Sequence, residues 1–163
     1  VYCGGIEISG GGDGRFQPGI YVIKGGKFLI SSSAASGTNV AFYFVNAGAE
    51  LNISGGSPVS FTAPTTGPLQ GFIFYEGPGM VFKQRARMSG GSEAYYEGSI
   101  YFPTQKLELS GGSVATSPSP LTIYVAYAFL VSGGGTVYLQ AQEGATNVPI
   151  PNGLRGRRFN LVM

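Results

Sequence analysis

The chain has 163 residues, a single domain's worth, with 28 Gly, 10 Pro and only 11% charged residues. Its 43% hydrophobic and 13% aromatic content supplies a buried core and excludes a disordered chain. A net charge of +2, no His and one Cys exclude a nucleic-acid footprint, the usual general base near neutral pH, an internal disulfide and a cysteine-based zinc site.

In chain order, the first element is Ile6-Glu7-Ile8-Ser9, and the same apolar-x-apolar-Ser unit returns five times. It reads Phe28-Leu29-Ile30-Ser31, Leu51-Asn52-Ile53-Ser54, Ala86-Arg87-Met88-Ser89, Leu107-Glu108-Leu109-Ser110 and Phe129-Leu130-Val131-Ser132. The serines are 22, 23, 35, 21 and 22 residues apart, so the fourth unit follows an insertion of about a dozen. The local period is two, which makes each unit a strand, and the repeat is too short for a helical hairpin. Stacked coils put Ile8, Ile30, Ile53, Met88, Leu109 and Val131 in one inward column. Ile6, Phe28, Leu51, Ala86, Leu107 and Phe129 form a second. The residues between them face outward, and Arg87 is expected beside Glu108 on the next coil.

A second strand follows in five of these repeats: Ile20-Tyr21-Val22, Phe42-Tyr43-Phe44, Phe72-Ile73-Phe74, Ile100-Tyr101-Phe102 and Ile123-Tyr124-Val125. The middle residue of each is expected to face outward, so Tyr21, Tyr43, Ile73, Tyr101 and Tyr124 form a column. The Ser-Gly-Gly steps read as corners. Pro64-Thr65-Thr66-Gly67-Pro68 and Glu76-Gly77-Pro78-Gly79 read as turns within the insertion, and Ser117-Pro118-Ser119-Pro120 as an extended corner. Gly79–Met88 reads as loop or strand. The fold expected is all-β: a single-stranded parallel β-helix, or β-solenoid, of about six to seven coils of roughly 22 residues. It occupies residues 1–143, with 144–163 as a C-terminal cap or exit segment.

Catalysis and cofactors find little support. Glycoside hydrolysis needs two carboxylates flanking one bond, and Glu93 and Glu97 on one strand would stand roughly 13 Å apart. Asp13 is the only Asp, so calcium ladders are absent and no metal or cofactor site is expected. Cys3 reads as a buried small residue or as half of a bridge to a partner beyond this sequence. The basic clusters are Arg155, Arg157 and Arg158, with Lys83, Arg85 and Arg87 elsewhere; they read as a solvated end, with a phosphate or acidic-lipid contact as the alternative. No apolar run is long enough to span a bilayer as a helix, and any export signal or anchor is expected upstream of Val1. Tyr21, Tyr43, Tyr101 and Tyr124 are the candidate binding surface, for sugar rings or a neighbouring protein. The same column also reads as a structural aromatic ladder.

The ordered motifs carry a resemblance. Tyr2-Cys3-Gly4-Gly5, Pro18-Gly19-Ile20-Tyr21-Val22-Ile23-Lys24-Gly25-Gly26, Asn39-Val40-Ala41-Phe42-Tyr43-Phe44 and Ile53-Ser54-Gly55-Gly56 are followed by four more. These are Thr62-Ala63-Pro64-Thr65-Thr66-Gly67-Pro68, Gly71-Phe72-Ile73-Phe74-Tyr75, Glu97-Gly98-Ser99-Ile100-Tyr101-Phe102-Pro103 and Leu109-Ser110-Gly111-Gly112. Over roughly residues 1–135 the chain resembles the C-terminal, Gly/Ser-rich region of TadG-like proteins of bacterial tight-adherence (Flp-type) pilus assembly systems. The resemblance implies an exported, non-enzymatic structural or adhesive part of a cell-surface assembly. The open ends of the coil stack invite strand addition, so the partners expected are further copies of itself or other surface subunits, with no cofactor. A carbohydrate-binding module using the tyrosines is the alternative.

Overall fold

The computed structural model describes residues 1–56, 58–89, 94–110, 119–133, 137, 139–142 and 144–155. Parallel strands wind into a β-solenoid of about five turns with three sheet faces. The first face carries β1 (Gly5–Ser9), β4 (Lys27–Ser31), β7 (Glu50–Ser54) and β10 (Arg85–Ser89). It is completed by the ends of β11 (Ala94–Ser110) and β12 (Leu121–Ser132). The second face carries β2 (Asp13–Phe16), β5 (Ala34–Thr38), β8 (Val59–Thr62) and the start of β11. On the third lie β3 (Gly19–Lys24), β6 (Val40–Val45), β9 (Phe72–Glu76), the middle of β11 and the start of β12. The six rungs of the first face bound five full turns, fewer than the six to seven expected, because among the described residues the last repeat unit opens a coil with no further parallel rung.

On the first face the sequence repeat and the register coincide. Ile6 pairs with Phe28, Phe28 with Leu51, Ala86 with Leu107 and Leu107 with Phe129. Ile8, Ile30, Ile53, Met88, Leu109 and Val131 likewise stack in one column. Phe28, Ile30, Leu51, Met88, Leu107 and Leu109 are buried. The outward row holds Arg87 beside Glu108, as expected, with Nε 3.6 Å from Oε2, while Arg85 comes closer at 3.1 Å. These pairs are exposed and each is worth about a few tenths of a kcal/mol.

The interior is filled by aromatic rings from all three faces. Phe28 meets Phe42 at 4.4 Å between centroids, Phe42 meets Phe61 at 5.1 Å, and Phe61 meets Phe74 at 6.0 Å. Such contacts are worth roughly 0.5–1.5 kcal/mol each beyond area burial. A solenoid coil is narrow, and large rings from facing strands meet across it. Ser9-Gly10-Gly11 and Ser54-Gly55-Gly56 make the corner between the first and second faces, while the steps after Ser89, Ser110 and Ser132 lie wholly or partly outside the described residues. Gly55 shows why glycine is needed there: its φ is +101°, and a Cβ would stand 2.5 Å from the Ser32 backbone nitrogen.

The insertion is spent at two corners of the third coil. Residues 63–71 bulge between β8 and β9, closed by a hydrogen bond from Gly71 N–H to Pro64 O, and residues 77–84 connect β9 to β10. The proposed corner over Ser117-Pro118 lies outside the described residues. After β12 the winding stops, since β13 (Gln140–Ala141) pairs antiparallel with Leu121 and Thr122. The segment 144–155 then runs back along the side of the rod as a strap. Thr146 Oγ1 donates to Glu97 of the fourth coil, and Val148 is buried. Further along, a Cβ on Gly71 of the third coil would meet Pro149 O at 2.2 Å, so glycine there lets the strap lie flat.

Replacing Phe42 by Ala is expected to cost about 3–5 kcal/mol of unfolding free energy, read by denaturant titration. Arg87→Ala, by contrast, should shift the same titration by less than about 1 kcal/mol.

Candidate binding site

The third face differs from the first because its outward residues are also apolar. The register places Tyr43 opposite Val22 on one side and Tyr75 on the other, then Tyr75 opposite Tyr101, and Tyr101 opposite Val125. The three phenols stack along the rod: Tyr43 and Tyr75 are 5.7 Å apart, and Tyr75 and Tyr101 are 5.1 Å apart with ring planes 14° from parallel. Phe72 joins them edge-on, 4.9 Å from Tyr75 and 5.7 Å from Tyr101.

Two walls turn this ladder into a groove. One is the insertion, through Pro68 and Leu69; the other is the strap, through Gly153 and Leu154 of the short 3₁₀ turn Asn152–Leu154. With Ile20 at its lower end, the groove encloses about 560 Å³. That is within the usual range for small-ligand clefts, roughly 300–1,000 Å³. Its floor is the row of stacked phenol rings, and their hydroxyls are the polar groups on it.

Four tyrosines were expected in one column, and the structure divides them. Tyr43 and Tyr101 lie on the outward ladder. Tyr21 instead pairs with Phe42 and Tyr124 with Ile100, both of which are buried. Tyr21 packs against Phe16 at 5.1 Å and Phe42 at 5.5 Å while its hydroxyl donates to Gln17 O. Tyr124 rests 5.5 Å from Phe129. These two rings close the interior stack toward its ends rather than extending the outer surface. Ile73, placed in the same column, is fully buried, because a bulge between Ser99 and Ile100 pairs them with Phe72 and Phe74. That bulge brings Tyr75 into the ladder in its place.

Three of the glutamates are engaged in the framework. Glu76 is buried and accepts hydrogen bonds from the Thr104 backbone N–H, at 3.0 Å, and from its hydroxyl. Glu97 is half-buried and accepts from Tyr95 Oη at 2.7 Å and from Thr146. It therefore clamps the strap. Glu50 accepts from Gln84 Nε2 at 2.7 Å and lies near Lys27. Glu93, considered with Glu97 as a catalytic pair, lies outside the described residues, as do Arg157 and Arg158. Among the described residues no three His, Cys, Asp or Glu side chains gather as a metal site. Cys3 is exposed, which overturns the first of its two readings, a buried small residue; the chain before β1 lies against the body through the Tyr2 backbone, which pairs with Ile23, and leaves the thiol outside. Arg155 donates through Nε to Ile150 O, within the strap itself.

Several phenols are held neutral. Burial first, then the neighbouring Tyr101 and Tyr43, raise the Tyr75 phenol above its ordinary value. Burial, then the hydrogen bond to Glu97 and its charge, push Tyr95 up to about 12. Tyr96, fully buried, is raised further by burial and then by Tyr124. A phenol whose folded pKa lies above its unfolded value stabilises the fold below the unfolded value, near 10, and loses that contribution as pH rises through the folded one. Tyr95 should thus give its full contribution below pH 10 and lose it as pH passes about 12. Absorbance titration of tyrosinate should show a late-ionising group, and Tyr95→Phe should remove one step from it.

Compared with family models, with curated proteins and with solved structures, the chain finds no match in any of the three.

Proposed function

We propose that the chain is a non-catalytic, exported structural or adhesive module of a bacterial cell-surface assembly of the pilus-related kind its sequence resembles. The observation that carries the reading is the Tyr43–Tyr75–Tyr101 ladder, set in an apolar groove on the side of a rigid rod. Outward aromatic side chains cost solubility and do nothing for the interior, so a surface that keeps three in contact is suited to a partner. Adhesion also suits a solenoid, since stacked coils hold such a row at fixed spacing. The last rung adds a route to self-association: Ala128–Ser132 pairs with β11 on one side, and Phe129 and Val131 at this edge are exposed.

A second reading, a carbohydrate-binding module, is favoured by one feature of the same groove. Tyr75 and Tyr101 stack with nearly parallel rings 5.1 Å apart, which forms a row of ring edges and hydroxyl groups suited to a sugar chain lying along the groove. The two readings separate by experiment. Beads coated with the chain should retain bacterial envelope fragments, and Tyr75→Ala with Tyr101→Ala should cut retention at least about tenfold with the far-ultraviolet circular dichroism unchanged. If a glycan array retains the parent chain and the same double variant is not retained, the carbohydrate reading stands. Retention of envelope fragments that is indifferent to both tyrosines removes the groove from either reading. Electron microscopy across a concentration series tests the edge, where filaments support self-association and a strict monomer removes it.

A further inference from the structure

The corner that leads from the third face back to the first, at the C-terminal end of the rod, carries features the groove does not use. Val81 and Phe82 of the 77–84 connection and Tyr127 of β12 are all about half exposed or more. Tyr127 alone spans the turn that Pro103, Thr104 and Gln105 make one coil below, so its ring is thrust outward. Phe82 meets it edge-on at 5.1 Å, and Lys83 Nζ stands 5.0 Å from the centroids of both rings. Leu130, on the outward row of the first face, is exposed beside Glu108. Phe129 and Val131 point along the inward columns, where a further coil would cover them. Val81, Phe82, Tyr127 and Leu130 point away from the rod, where no further coil can reach.

Charge is as uneven as hydrophobicity. Lys83, Arg85, Arg87 and Lys106 all lie at this corner or on the adjoining strip of the first face, four of the chain's ten cations. On that strip the surface acid is Glu108, already shared by Arg85 and Arg87. Glu76 lies buried under the same corner, bonded by Thr104, and Glu50 is paired with Lys27 and Gln84 one coil earlier. Lys83 and Lys106 form no ion pair among the described residues.

We propose that this corner docks on an anionic lipid surface. Its exposed apolar side chains can enter the headgroup layer, and the cations beside them match its charge. Aromatic rings flanked by lysines suit that layer: the rings sit at the boundary with the acyl chains and the ammonium groups reach phosphate. The surrounding cations add long-range attraction that salt screens. This surface lies apart from the groove and, although Leu130 belongs to the edge strand, it uses the outward side chain there and not the strand's free backbone, so its test is separate from both.

The test exploits the absence of Trp from the chain. Phe82→Trp gives a single fluorophore at this corner. With phosphatidylcholine vesicles containing phosphatidylglycerol at low salt, the chain should co-sediment and the Trp emission should shift to the blue. With phosphatidylcholine alone both signals should be weak. Phe82→Ser with Tyr127→Ser should abolish sedimentation. Lys83→Asn, which tolerates the left-handed backbone at this position (φ +61°), and Lys106→Gln should each weaken it about fivefold. No sedimentation with the anionic vesicles overturns the proposal, as does sedimentation that survives the loss of both rings. Equal capture by polyglutamate-coated beads also overturns it and assigns the corner to an acidic protein. Should the double variant unfold by circular dichroism, the folded Phe82→Trp chain still decides, because an unshifted emission in the presence of anionic vesicles overturns the proposal.

Discussion

Each rung of this molecule exists because the rung beside it satisfies its backbone. In a parallel solenoid the amides and carbonyls of one coil are the partners of the next. A coil out of register would expose polar backbone and turn apolar side chains outward together. From that requirement follow the recurrent serine units in line on the first face and the rings that meet across the interior. Glycine where the chain turns has the same origin: Gly55 stands where a side chain would strike the coil below. The outer surface inherits the same regularity. The groove tyrosines are a row because the strands that carry them are rungs.

How well each face could be read from sequence depended on what lay on its outer side. On the first face, Glu7, Asn52, Arg87 and Glu108 alternate with buried apolar residues, so polarity fixes the phase and the columns emerge correctly. On the third face both sides are apolar, and Ile20-Tyr21-Val22-Ile23 can be read in either phase. Placing Tyr21 and Tyr124 outward was a slip of one residue, and a slip of one reverses every side chain on a strand. The bulge that buries Ile73 and brings Tyr75 outward leaves no local mark in the sequence. The second face was hidden for another reason. Gly14, Ala35 and Gly37 carry no amphipathic signal, and only Phe16, Phe61 and Tyr96 hint at it.

The candidate site was half legible for related reasons. Tyr43 and Tyr101 stand out because they sit between buried apolar residues in coils that keep phase. The walls come from segments that break the repeat. Leu69 belongs to the insertion, and Leu154 to a tail in which the apolar-x-apolar-Ser unit no longer occurs. A repeat reveals the residues that obey it and is silent about those that depart from it. Here the departures enclose the groove and carry the exposed corner.

The strap changes how the rod bears force. A bare solenoid pulled from one end peels coil by coil, because each coil is held only by its neighbour and ruptures in turn. Here one length of chain is joined by antiparallel pairing to the fifth coil, clamped through Thr146 and Glu97 to the fourth, and packed at Gly71 against the third. A pull on the strap is thereby divided among three coils at once. Rupture then needs several ladders to yield together in shear, which converts a zipper into a bolted joint. The same clamp fixes one bank of the groove, so the groove keeps its width while load passes along the rod.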